Sequence, residues 1–178
     1  MTVAIDQTKI DEKMHELETV IGYSFSDISH LAEAMKSIRV KSIREDKETG
    51  NKEYTNEALA CFGDTIIKCL ITQHLYKLGK KKGEITTEKA TLETNEVFHR
   101  VAKKFNILDY AYNEKHFAKD APGHEKVCSK GHDPYIEAIA AAIYLDGGWE
   151  KAGEWVEKWL LPKLEESKNE VENLQKNA

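Results

Sequence analysis

The sequence predicts an all-α fold, and three observations carry that expectation. Apolar residues recur at helical spacing along most of the chain, no run of alternating β-branched residues reads as a strand, and only three prolines interrupt 178 residues. The expected architecture is a helical bundle.

The elements follow in order. A first helix is expected over 9–21, stopping near Gly22, and a second over 26–37 with Leu31, Ala34 and Met35 inward. Residues 41–53 are charged, contain Gly50 and read as a loop. A long helix is expected over 54–78, where Leu59, Phe62, Ile66, Ile67, Leu70, Ile71 and Leu75 keep the helical period of a core-facing stripe. Thr86 or Thr87 is the expected cap of the next helix, which reaches about 94, and another helix covers 95–105. Residues 110–132 hold Gly123 and Gly131 and read as a long connection with one short helix. Asp133 and Pro134 form a helix start, with aspartate as cap and proline in the first turn. That helix is expected to stop at Asp146, Gly147 and Gly148, and its alanines at 138, 140, 141 and 142 allow a neighbouring helix close approach. A last helix over 149–166 is expected to pack through Trp155, Val156, Trp159 and Leu160. One domain over 1–166 and a polar, frayed tail over 167–178 result.

Composition narrows the function. At 40% hydrophobic and 32% charged, the chain reads as an ordinary globular domain, large enough for a core without staples. The longest nearly apolar run, 138–145, is too short for a bilayer. The acidic N-terminus, MTVAIDQTKIDEKMHELE, lacks an apolar secretory segment, so a cytoplasmic or nuclear protein is expected. Three cysteines in no framework spacing read as reduced thiols, Cys61 and Cys69 as small core residues. A net charge of −5 argues against a general polyanion binder, so any nucleic-acid surface must be local. Two basic stretches are available, Lys77, Lys80, Lys81 and Lys82, and Lys36, Arg39, Lys41 and Arg44.

Acids among apolar residues are the chemically pointed feature. Glu57 and Asp64 lie seven apart, two helical turns, on one face. Glu137 lies one turn into the alanine-rich helix, and Asp133, four residues earlier, shares its face. Two helices carrying inward carboxylates can hold Mg²⁺ in a bundle, the chemistry that phosphodiester hydrolysis requires. The bland alternative makes Asp133 only a cap and Glu57 only a first-turn acid. His124, Cys128 and His132 recur every four residues and offer a weaker, zinc-like pattern. Trp149, Trp155 and Trp159 read as core rather than base-stacking residues.

The segment NEALACFGDTIIK (56–68) resembles the ribonuclease III signature NERLEFLGDAVL. YIEAIAAAIYLDGGWEKA (135–152) resembles the family's second motif, DxxEAxxGAIYLDGG. KGEITTEKATLETNEVFHRVAKKFNI (82–107) is similar to GELTxxRxxLVSNxxLAxxAxxLGL, and IGYSFSDISHLAEAMKS (21–37) to LGYxFxDxxLLxxALTH. Order and spacing agree over about 16–165, which is far more specific than one short motif.

The resemblance implies a ribonuclease III endonuclease domain: a homodimer that cleaves double-stranded RNA with Mg²⁺ (or Mn²⁺), leaving short 3′ overhangs. It implies Asp64 and Glu137 as principal metal ligands, with Glu57 and Asp133 assisting, and Asp64, Glu137 and Glu57 as the catalytic set. The chain also departs from the pattern. The signature's second Glu is Ala60, the second-motif Asp falls on Pro134 with Asp133 one residue earlier, and the usual dimer-plug Phe is Cys61, beside Phe62. Past Leu161 about 17 residues remain, so RNA affinity is expected to rest on the catalytic domain's own surface, reading phosphates and 2′-hydroxyls. The alternative these departures imply is a catalytically degenerate relative that binds RNA or a ribosome. A helical interaction domain without RNA is a third reading.

Overall fold

The computed structural model describes residues 4–37, 56–120 and 134–177. These form seven α-helices: α1 (Gln7–Ile21), α2 (Ser29–Met35), α3 (Glu57–Lys77), α4 (Lys82–Leu92), α5 (Asn95–Lys104), α6 (Tyr135–Trp155) and α7 (Leu161–Lys176). Two 3₁₀ turns (Ile107–Tyr110 and Ala118–Asp120) and a π-helical turn (Val156–Leu160) complete them. Among the described residues, β-pairing is confined to isolated bridges joining Lys36, Tyr112 and Phe117. The all-α expectation holds.

The core is organised around α6. Its first nine residues, Tyr135 to Ile143, are all buried, as a helix apolar on every side requires. α3 and α2 pack against it. The alanines do what their size allows: a Cβ built on Gly63 of α3 would collide with the Glu137 carbonyl oxygen and stand 3.1 Å from the Ala141 nitrogen. Only glycine lets the two backbones meet there.

α1 buries Ile10, Met14, Leu17 and Ile21, one stripe at i, i+4, i+7 and i+11. Asp6 caps it, accepting from the Lys9 amide at 2.8 Å. At its far end the Trp155 and Trp159 indoles donate to the Ile21 and Val20 carbonyls at 2.9 and 3.1 Å. These two tryptophans are structural, as expected. Trp149 is not in the core and remains 38% exposed.

Several expectations are corrected. α4 starts at Lys82, before the threonines expected to cap it. Glu84 satisfies the Lys81 amide at 2.8 Å, and the Thr86 and Thr87 hydroxyls donate back to the Lys82 and Gly83 carbonyls. The helix through Leu145 does not simply end at the paired glycines; helical turns continue to Trp155 across a kink at Gly148, whose φ of +77° suits glycine. The stretch expected as a frayed tail is helical to Lys176, with Ser167 buried and Val171 packed on the core. On α3, Phe62 is 41% exposed, and Cys61 and Cys69 are exposed rather than core. The buried stripe of α3 runs through Ala60, Gly63, Ile66, Ile67, Leu70, Ile71 and Leu75, and it leaves both thiols on the outer side. The 41–53 loop and the His124, Cys128 and His132 pattern lie outside the described residues.

Candidate active site

The close contact of α3 with the start of α6 fixes a cleft of about 470 Å³. Glu57 and Asp64 from α3 and Glu137 from α6 all line it. The sequence placed these three acids on two inward helices, and the structure brings them to one opening. Asp133 lies outside the described residues; the residue beside it, Pro134, is buried in the cleft wall.

The local sequence explains each placement. Asn56 precedes α3 and is buried; its side-chain amide donates to the Ala34 carbonyl at the end of α2 at 2.6 Å. That bond sets where α3 begins, and so where Glu57 projects. Asp64 follows Gly63, so the residue that permits backbone contact is next to the acid that faces the cleft. Glu137 is 93% buried, given its 7% exposure, on a helix otherwise apolar at that level. A buried carboxylate costs free energy unless charge or hydrogen bonds compensate it, so its retention points to chemistry rather than packing.

Two further charged residues line the same cleft and were not singled out from sequence. Lys68, one turn after Asp64, places its ammonium 2.7 Å from Asp64 Oδ2. The bond to Asp64 raises the lysine's pKa, with Glu93 and Glu137 adding smaller electrostatic contributions in the same direction. Glu93, immediately after α4, has a side chain only 12% exposed. Burial pushes its carboxyl pKa up; Lys89 and Lys68 oppose that and Asp64 adds to it. Its Oε1 has no hydrogen-bond partner among the described residues, and the Lys89 ammonium stands 3.9 Å away. The i, i+4 spacing of Asp64 and Lys68 was legible in sequence; Glu93 carried only the signal of an acid beside the apolar Leu92.

Both departures from the signature fall in this cleft. Ala60 and Pro134 line it, and neither offers a ligand. Among the described residues no three His, Cys, Asp or Glu side chains converge closely enough to cage a metal ion. Mg²⁺ does not need such a cage: it keeps several waters and takes one or two carboxylates plus substrate phosphates. Asp64 and Glu137, with the buried Glu93 oxygen nearby, are a donor set of that kind.

Outside the cleft, the basic stretch at the end of α3 is partly neutralised, Lys80 by Glu88 at 2.6 Å and Lys77 by Glu157 at 3.9 Å. No helix among the described residues is long and apolar enough to cross a membrane.

Comparison with known proteins agrees with this geometry. The family profile described as ribonuclease-III-like matches residues 40–164. Ribonuclease 3 of Actinobacillus pleuropneumoniae is 28% identical over 159 residues, 88% of this chain and 65% of that protein. Ribonuclease 3 of Rickettsia typhi is 31% identical over 149 residues, 83% of this chain and 63% of that one. The chain thus spans less than two thirds of these relatives' length. A solved nuclease domain of ribonuclease III from Campylobacter jejuni, described for structural flexibility in a region involved in dimer formation, shares the fold. Its TM-score is 0.62 at 22% identity, over 85% of this chain and 96% of that one. A second structure of that domain gives 0.60 at 23% identity, over 87% and 93%. With a profile covering most of its length and a nuclease-domain fold, the chain belongs to the ribonuclease-III-like family.

Proposed function

We propose that the chain is an endoribonuclease that hydrolyses double-stranded RNA with Mg²⁺, or Mn²⁺ in its place, as a homodimer. The observation that carries this reading is the meeting of Asp64 and Glu137 in one cleft, from two helices whose backbones touch. The relatives named ribonuclease 3 support it. Asp64 and Glu137 are the principal metal ligands in this reading, Glu57 assists from two turns before Asp64, and Asp133 assists from beside Pro134.

The chain's own residues divide the work as follows. Glu137, buried on a rigid apolar helix, keeps one orientation. Asp64 is steered by the Lys68 ammonium at 2.7 Å. The pair is nearly half exposed on both sides, so it contributes a few tenths of a kcal/mol to stability at most; its value is positional. A bound magnesium ion supplies a water of lowered pKa and charge stabilisation at the phosphate. Without a cation, an acidic cleft repels the RNA backbone, so substrate and metal binding are coupled.

The homodimer is proposed through the exposed aromatic face where α3 and α6 emerge. Phe62 meets Tyr144 edge-on at 5.5 Å, and Tyr144 meets Trp149 at 6.3 Å. Leu145 beside them is 50% exposed. Phe62 there takes the place of the plug that Cys61 is too small to provide.

The test is to incubate the protein with long double-stranded RNA in Mg²⁺ or Mn²⁺ beside Asp64→Asn and Glu137→Gln. Cleavage by the unmutated chain alone is the expected result. RNA bound but uncut would establish the degenerate, RNA- or ribosome-binding reading that Ala60 and Pro134 favour. Absence of both binding and cleavage would leave an interaction domain.

A further inference from the structure

We propose that the Lys68 ammonium is the resident cation of the cleft, standing in for one divalent ion, so that each site binds a single divalent ion. This deepens the functional reading above and rests on it for the identity of the site.

Lys68 is not an ion pair on an open helix face. Its ammonium contacts Asp64 at 2.7 Å and lies within electrostatic reach of Glu93 and Glu137. Those three acids come from α3, from the end of α4 and from α6, so the positive charge stands among carboxylates that converge from three sides. Ala60, on the same wall, removes the one further carboxylate that the family signature provides. Compared with a site bearing glutamate at 60 and a neutral residue at 68, this chain has lost one negative charge and gained one positive. The change is +2, the charge of one divalent ion. Two-metal phosphodiesterase sites need enough negative charge to hold two such ions side by side. Here one of those ions would meet an ammonium already bonded to Asp64. An ammonium so placed can also donate to an RNA phosphate oxygen, as a metal would accept one.

Mn²⁺ titrated into the full chain, with free Mn²⁺ counted by electron paramagnetic resonance and no RNA present, tests this directly. The unmutated protein and Lys68→Arg, which keeps the charge, should bind one Mn²⁺ per chain with similar affinity. Lys68→Met should bind it about tenfold more tightly, since a like charge next to the ion is gone. Ala60→Glu combined with Lys68→Met should bind two. A second Mn²⁺ on the unmutated chain, or a Lys68→Met titration superimposable on the unmutated one, would overturn the proposal. Circular dichroism of each variant confirms folding; Lys68 is exposed, so its replacement leaves the core alone. The two readings fail separately. Cleavage with an unaltered Lys68→Met titration sinks only the resident cation, whereas the expected Mn²⁺ pattern without cleavage sinks only the nuclease.

Discussion

Gly63 and Glu137 meet backbone to backbone: a methyl group added at Gly63 would overlap the Glu137 carbonyl oxygen. The contact joins α3 to α6 between the two acids of the cleft, since Asp64 is the next residue on one side and Glu137 is the other side. Gly63→Ala should therefore force the helices apart. The expected cost is about 3 kcal/mol, the upper end of overpacking effects, seen as a fall of about 10 °C in thermal denaturation. An unchanged melting temperature would mean that the helices have room the structure does not show.

Asn56 acts at the start of the same helix. Its buried amide donates to the Ala34 carbonyl at 2.6 Å. Asn56→Ala leaves that carbonyl to find another donor and frees the first turn that carries Glu57. A loss of about 1–3 kcal/mol in chemical denaturation is expected, with a larger effect on cleavage than a distant surface substitution of equal stability cost.

The far end of α6 carries a pH-sensitive tie. Burial, then the bond to Asp146 at 2.9 Å, raises the Tyr23 phenol from 10.0 to about 12. Asp146 is held below its usual 3.8: burial alone would raise it, but the Ser26 and Asp27 amides and the Tyr23 hydroxyl all donate to it. Tyr23 is neutral in both folded and unfolded chains below pH 10. Between pH 10 and about 12 the unfolded chain releases the proton and the folded chain keeps it, so stability falls as pH rises through that window. For Asp146 the contribution is present at neutral pH and fades as pH drops through 3.8 and below. Tyr23→Phe should cost about 1 kcal/mol at pH 7 and show a shallower further loss between pH 10 and 12. Denaturant midpoints at pH 7, 10 and 12 measure both; parallel curves for the two proteins would contradict the assignment.

The aromatic face offers a test of assembly. Phe62→Glu places a charge among Tyr144, Trp149 and Leu145, which an apolar interface would have to bury unpaired. Sedimentation at micromolar concentration should show a dimer for the unmutated chain and a monomer for the variant. A monomer in both would remove the paired-site mechanism and leave single-strand nicking.

Much of this fold was legible because its signals are local. The stripe Ile10, Met14, Leu17 and Ile21 needs only a helical period, and the alanine run of α6 announced a close helix contact before Gly63 was seen to make it. What failed depended on neighbours. Phe62, Cys61 and Cys69 fit an apolar helix pattern, yet the stripe α6 covers is the one through Gly63 and Ile67. Thr86 and Thr87 looked like caps, but Glu84 had already satisfied the turn before them. The site divides the same way. Glu57, Asp64 and Glu137 stood out as acids in apolar helices. Glu93 did not, because its burial comes from the packing of α4's end beside α3 and α6, which no spacing in the sequence records.

The central claim is that Asp64 and Glu137 form one catalytic site, and a cleavage-rate cycle tests it most directly. Initial rates on long double-stranded RNA at saturating Mg²⁺ are measured for the unmutated chain, Asp64→Asn, Glu137→Gln and the double variant. Residues that act as a unit are strongly non-additive. Each single substitution should lower the rate at least ~100-fold, and the double variant should lose little more. Rates that fall by independent, multiplying factors, or a single variant that still cuts at the unmutated rate, would contradict the account.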